Sequence, residues 1–283
     1  MTLDNPELSR ELAAAVDSMP AFPKSSQAIL ALTQDVSCSP KDLVQIIEKD
    51  PIVTVKVLRV VNSAYYCLPS PISSIDHAVV FLGFNTIKNL ALSISSMCMA
   101  PSNPMARFDG QRYLMHSLTT AGFAKKLAAR VGTAEPSECY IAGLLHDFGK
   151  VVVAQFMPAK FRKALEMSLW SGTPLHLALR ETVGVDDAAI GAMLAEKWRF
   201  PTNLTETIRH LHDPQQIDSD MMSCVFASNQ ISKHLGFDFG GSSAQESWPS
   251  TVLSRLGGDL AQTLASLGDL TPIIDEAKYF SKL

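Results

Sequence analysis

The sequence predicts an all-α protein, and three observations predict it. Nearly every apolar periodicity has helical spacing, with residues three or four apart sharing one face. No pair of alternating runs is joined by a hairpin turn. Helix boundaries are marked by cap-plus-proline pairs such as Ser39-Pro40 and Asp50-Pro51, and by glycines such as Gly83 and Gly132.

A first helix is expected over residues 6–17, broken by Met19-Pro20-Ala21-Phe22-Pro23. The next runs from Ser25 to about Thr33, with Ala28, Ile29 and Leu32 at helical spacing. Ser39 caps a helix whose first position is Pro40, where the missing N–H is harmless, and Leu43, Ile46 and Ile47 form its inner stripe. Asp50-Pro51 repeats that signal and opens a helix to about Ser63. Its β-branched run would suit a strand. The cap, and the shared face of Val53, Val57, Val60 and Val61, argue for helix instead. Asn62-Ser63-Ala64-Tyr65 closes it, a polar pair able to turn back onto the last carbonyls. Ser74 caps a short helix ended by Gly83, and Asn85 opens one carrying Ile87, Leu90, Ala91, Ile94 and Met97.

Pro101-Ser102-Asn103-Pro104 is rich in turn formers and marks the best boundary. A long helix, residues 110–131, follows and carries His116. Ser137 is expected to cap the next, which runs through Ile141, Leu144 and Leu145 into His146-Asp147. Val151-Val152-Val153 fits a continuing or new helix. Further helices are expected over residues 159–170, 174–182 (Thr173 cap, Pro174 first), 187–198, 202–211 and 219–235. Residues 236–247 read as a loop, before two or three short helices to Leu283. The resulting division is an N-terminal helical subdomain (1–100), a helical core (101–236) and a C-terminal loop with short helices (237–283).

At 283 residues, 47% hydrophobic and 18% charged, the chain can bury a sizeable core. A formal net charge of −4 supplies no basic field for phosphate backbones, which disfavours bulk electrostatic binding of nucleic acid. No apolar run has the length of a membrane span, and residues 1–20 lack a signal peptide's pattern. A cytoplasmic location without membrane contact is therefore expected. The five cysteines (Cys38, Cys67, Cys98, Cys139 and Cys224) form no CxxC pair and read as small packing residues.

The chemistry-bearing stretch is Ala142-Gly143-Leu144-Leu145-His146-Asp147-Phe148-Gly149-Lys150. Adjacent imidazole and carboxylate offer donor types that suit Zn, Mn or Fe. Two residues cannot hold a metal alone, so partners decide its meaning. Together with Pro20, Pro23, Asp50-Pro51, Leu58, Asn62-Ser63-Ala64-Tyr65, Ile72, Ile75, Ala78, Leu82-Gly83 and His116-Ser117, all in order, the stretch resembles the HDOD domains. These are a bacterial signalling family related to the HD metal-dependent phosphohydrolases. The resemblance covers about Pro20 to Gly236. It implies a helical bundle packed on an HD-like core and a regulatory role through a signalling or regulatory protein partner. Family members often carry receiver or cyclic-dinucleotide phosphodiesterase modules; this chain has room for neither and looks like a stand-alone or excised domain.

An active HD-type hydrolase resembles a cage of a first His, the His-Asp pair, further His residues and a final Asp. His116, His146 and Asp147 match the first three places, and His116 can lie near the pair if the two helices pack antiparallel. Later places are eroded: Asp186-Asp187 stands where relatives read Asp-His, and Leu211-His212-Asp213-Pro214 where many have His-His before proline. Asn229 stands where the last Asp is expected, and a neutral amide cannot offset a cation's charge. His212 is a candidate fourth ligand, while Lys150 and Asn229 are candidate phosphate or ligand contacts. A helix-end lysine is ordinarily an exposed charge. His77, His176, His210 and His234 read as surface or helix-end residues. Asn62, Ser63 and Tyr65 form either a docking surface or a helix closure. No catalytic residue is assigned. For the triad, three readings stay open: a buried polar cluster, a divalent metal (Fe, Mn or Zn) held without turnover, and an active phosphohydrolase for nucleotides or cyclic dinucleotides. A further reading is nucleotide sensing in the inherited pocket.

Overall fold

The computed structural model describes residues 6–32, 38–63, 65–99, 101, 103–239 and 246–282, and among them there are helices and no strands. Expectations that touch Thr33, Ala64, Ser102, residues 240–245 or Leu283 lie outside the described residues. No described helix is long and apolar enough to cross a membrane.

The chain opens on α1 (Pro6–Ser18). Residues 21–99 form one compact unit of five helices: α2 (Lys24–Ala31), α3 (Pro40–Glu48), α4 (Pro51–Val61), α5 (Ile75–Leu82) and α6 (Phe84–Met97). The caps behave as their chemistry requires. Asp50 Oδ1 accepts from the Val53 N–H at 3.2 Å, and Ser74 Oγ accepts from the His77 N–H at 3.2 Å. Asp42 reaches back to accept from the backbone N–H of Ser39 at 2.8 Å, closing a capping box. α4 buries Val53, Val57, Val60 and Val61, so its β-branched run is helical because one face fills a core. α6 starts at Phe84, directly after Gly83, whose φ of +86° suits glycine, one residue before the expected start.

The second unit takes the chain up to Pro20 and from Ala100 onward. Its helices are α7 (Gly110–Val131), α8 (Pro136–Leu145), α9 (Phe148–Phe156), α10 (Pro158–Ser171), α11 (Leu175–Val183), α12 (Asp187–Lys197), α13 (Thr202–Arg209) and α14 (Asp220–His234). Three short ones follow, α15 (Ser250–Leu256), α16 (Leu260–Ser266) and α17 (Thr271–Phe280). The sequence reading grouped residues 1–20 with the N-terminal subdomain. Here α1 packs on α9 and α12, because Lys197 Nζ donates to the carbonyls of Val16, Asp17 and Met19 at 2.9, 2.7 and 2.9 Å. An ammonium on the last carbonyls of a helix satisfies groups that have no intrahelical partner. Residues 246–282 likewise join this unit, with α15 and α16 on α14 and α17 on α7.

Two local expectations change. Glu135, not Ser137, caps α8: Pro136 takes the first helical position, and Glu135 Oε1 accepts from the Ser137 N–H at 3.4 Å. α11 starts at Leu175 after Pro174, without a side-chain cap from Thr173.

Two glycines set how closely the helices approach. A Cβ on Gly143 would lie 2.8 Å from Ala121 Cα, so α8 rests against α7 backbone to backbone. A Cβ on Gly149 would lie 1.9 Å from the Asp187 carbonyl oxygen, so α9 rests against the start of α12. Gly149→Ala should therefore destabilise the fold by about 3 kcal/mol or more, since backbone must move to admit the methyl. Gly110→Ala, with nothing within 4 Å of the added carbon, should change stability by less than about 0.5 kcal/mol. Chemical denaturation of the two variants checks the contrast.

Candidate metal centre

His116 sits mid-α7, and His146-Asp147 fills the turn between α8 and α9. Gly143 lies beside Ala121 and His146 beside His116, so one number rises as the other falls and the helices run antiparallel. All three side chains are buried, with no exposure to solvent. His146 Nε2 lies 3.3 Å from His116 Nε2 and 3.3 Å from Asp147 Oδ1, and His116 Nε2 lies 3.5 Å from Asp147 Oδ2.

Hydrogen bonds fix where the imidazole protons sit. His146 Nδ1 is 2.7 Å from the Gly143 carbonyl, which only accepts, so Nδ1 carries the hydrogen and Nε2 is bare. For His116 the argument passes through two hydroxyls. Thr119 Oγ1 donates to the Met115 carbonyl at 2.8 Å, so it accepts from Ser232 Oγ at 2.7 Å. Ser232 has then spent its proton and accepts from His116 Nδ1 at 3.0 Å. His116 Nε2 is therefore bare as well. Two imidazole lone pairs and a carboxylate face one another with no hydrogen between them. Such an arrangement is repulsive without a cation, and outer hydrogen bonds of this kind orient the imidazoles of metal sites.

Lys150 completes the charge pattern. It lies in the first turn of α9, not at a helix C-terminus, and is only 6% exposed. Its Nζ donates to Asp147 Oδ2 at 2.6 Å and lies 3.6 Å from Asp187 Oδ2. The sequence suggested an exposed charge or a phosphate contact. Here the ammonium is committed to two buried carboxylates that stand at the starts of α9 and α12, where helix dipoles favour anions. Burial would raise the Asp147 carboxyl, but attraction to the positive charge around it, the Lys150 ammonium included, holds it below the usual carboxylate range. Burial alone would lower Lys150, yet Asp147 and Asp187 hold it above its ordinary value. With neutral imidazoles, two carboxylates against one ammonium leave a net negative charge in the site.

Asp186 and Asp187 separate into two roles. Asp186 caps α12, accepting from the Ala189 N–H at 2.8 Å and from Arg180 Nε at 2.9 Å. Asp187 turns inward, and His212 Nε2 lies 3.5 Å from its Oδ2. His212 is thus joined to the site through Asp187 rather than grouped with the triad. His176, set aside from the sequence, is buried and stacked on His212 with centroids 4.0 Å apart and planes 9° apart. Those two and Glu246 make a second group of ligand-type side chains. The tandem Asp before an apolar helix was a usable signal, since one cap needs only one carboxylate. Nothing in the sequence singled out Ser232, Glu246 or His176. Asn229 is buried with its Oδ1 lacking a hydrogen-bond partner, one turn before Ser232, and Leu211 is buried without a donor atom.

In the unit of residues 21–99, Asn62 uses its amide internally. Nδ2 donates to the carbonyls of Leu58 and Ile72 at 2.9 and 2.7 Å, and Oδ1 accepts from the Ile72 N–H at 2.6 Å. Ser63 and Tyr65 are half-buried, Tyr65 edge-on to Tyr66 with centroids 5.0 Å apart.

Two outcomes follow. Lys150→Met leaves two buried carboxylates without their ammonium and should cost about 3–5 kcal/mol in unfolding experiments. Burial holds His116 and His146 below their ordinary value of 6.5, and burial with His212 pushes His176 down to about 2. Below pH 6.5 the unfolded chain then binds more protons than the folded one. Denaturation midpoints should be highest at neutral pH and fall as pH drops from about 7 to 5.

Comparison with known proteins agrees with this fold and this motif. A Geobacter sulfurreducens HDOD domain protein of unknown function superposes with a TM-score of 0.81 at 23% identity, over 97% of each chain. A Marinobacter aquaeolei VT8 protein, provisionally described in signal transduction, gives 0.80 at 23% identity, over 99% of this chain and 67% of the other. A Shewanella amazonensis SB2B protein, provisionally described as a phosphohydrolase, gives 0.73 at 24% identity, over 96% and 98%. At these identities the likeness carries the fold. An uncharacterized protein of Treponema pallidum (strain Nichols) is 27% identical over 231 residues, 80% of this chain and 44% of that relative's length. The pattern of the HDOD domain matches residues 19–214, and the chain belongs to the HDOD domain family.

Proposed function

We propose that this chain is a regulatory HDOD module that works by docking to a signalling or regulatory protein rather than by turning over a substrate. One observation supports it above others: Lys150 already occupies Asp147 Oδ2 at 2.6 Å, while two later places of a catalytic cage hold Leu211 and Asn229. Hydrolysis needs an acidified water and a clamped phosphate as well as a bound metal. With Lys150 paired to carboxylates, no cationic clamp for a phosphate is assigned. Ile52, Val55, Val80 and Phe81 leave large apolar surface in water, which suits a docking role. The provisional description of the Marinobacter relative points the same way.

The converging lone pairs of His116 and His146, with Asp147, favour a second reading, a metal-dependent phosphohydrolase. These three residues fit a divalent cation (Fe, Mn or Zn) by donor type and by tautomer. Such a cation would supply a Lewis acid and a water acidic enough to ionise near neutral pH. The protein's own contribution is to keep both imidazoles neutral, aim their Nε2 atoms inward and exclude bulk water.

Assay of Mn-loaded protein against a panel of nucleotides and phosphodiesters separates the readings. No turnover above background is expected. Robust turnover that disappears in His146→Ala and Asp147→Ala, with folding unchanged by circular dichroism, would sink the docking reading. If the triad takes up metal without turnover, removing it with a chelator should lower the melting temperature. The loss corresponds to about 2.7 kcal/mol when free metal had been at about a hundred times Kd.

A further inference from the structure

We propose that His176, His212 and Glu246 form a second divalent-cation site, separate from the His116–His146–Asp147 triad. The first support is a tautomer. His212 Nε2 faces Asp187 Oδ2 at 3.5 Å, a long contact in which the carboxylate can only accept. Nε2 therefore carries the hydrogen, and Nδ1 is bare. A carboxylate behind an imidazole is the arrangement that orients metal-binding histidines.

The second support is the setting of that bare nitrogen. His212 Nδ1 is buried and has no hydrogen-bond partner among the described residues, the residue being only 9% exposed. A buried acceptor without a donor calls for an ion or a water. The third is proximity, since one ligand atom from each of His176, His212 and Glu246 lies within 4.8 Å of the others. Two nitrogens and one carboxylate oxygen suit zinc, manganese or ferrous iron, with further positions left to water.

Glu246 is positioned from α14. Its Oε1 accepts from Gln230 Nε2 at 3.2 Å, its N–H donates to Gln230 Oε1 at 3.2 Å, and Lys233 Nζ lies 3.9 Å from Oε1. Oε2 is then the oxygen that would turn to a cation. The stacked rings, 9° from parallel, do not converge on one point as they stand. Binding swings His176 out of the stack while Asp187 holds His212 in place. Asp187 Oδ2 also lies 3.6 Å from Lys150 Nζ, so one carboxylate connects the new site to the triad.

Metal-free full-length protein titrated with cobalt(II), followed by calorimetry and visible absorption, tests this. Two equivalents per chain are expected. His176→Gln and Glu246→Gln should each abolish the second equivalent or weaken it by about tenfold or more, keeping the first. His116→Gln should remove the other. Glu246→Gln retains an amide for Gln230 and so reports on charge without disturbing the loop. No uptake by the wild type, or uptake of the same number of equivalents at unchanged affinity in either His176→Gln or Glu246→Gln, would overturn the proposal. It does not rest on the docking reading: two-metal uptake without turnover leaves that reading standing, and turnover without the second equivalent defeats only the present one.

Discussion

Asp147 is a carboxylate with no water to share its charge, and the larger unit is arranged to make that tolerable. Moving such an ion out of water costs several kcal/mol even after relaxation. Compensation comes from the start of α9 and from the Lys150 ammonium at 2.6 Å, while the bare Nε2 atoms of His146 and His116 stand 3.3 and 3.5 Å away. The carboxylate and these neighbours stand on α7, the turn between α8 and α9, and α9, so the charge ties those elements together. None of this works at ordinary helix spacing. Gly143 and Gly149 permit the backbone contacts that bring those groups within reach, which gives two unremarkable-looking residues as much influence on the site as its ligands.

The site holds two features side by side. Its imidazoles are held neutral with bare nitrogens facing inward, as a metal requires. Its lysine meanwhile neutralises one carboxylate, as a metal-free core requires. The one cluster thus combines a donor set of metal-ligand type with a buried ion pair. One fold can serve different ends, because function depends on the individual site.

Much of the fold was legible in the sequence. Helix starts are local events, decided by a capping oxygen and a proline within four residues, and Asp50-Pro51 shows it. The His116–His146–Asp147 grouping was legible because helical spacing and an antiparallel pair bring those positions together. The caps of α8 and α11 lie elsewhere than expected: Glu135 rather than Ser137 caps α8, with Pro136 in the first helical position, and α11 starts after Pro174 without a side-chain cap.

The sequence by itself determined the all-helical class, most helix boundaries and the identity of the polar trio. Only the tertiary structure decided that Lys150 is buried, that Asp187 rather than Asp186 faces the site, and that His176 stacks on His212. It also decided that α1 packs on α9 and α12 through Lys197, across about 180 residues of sequence. The physical reason is the same in each case. Caps and periodicity are written within one turn of the chain, whereas the burial of a charge depends on which distant helices close around it.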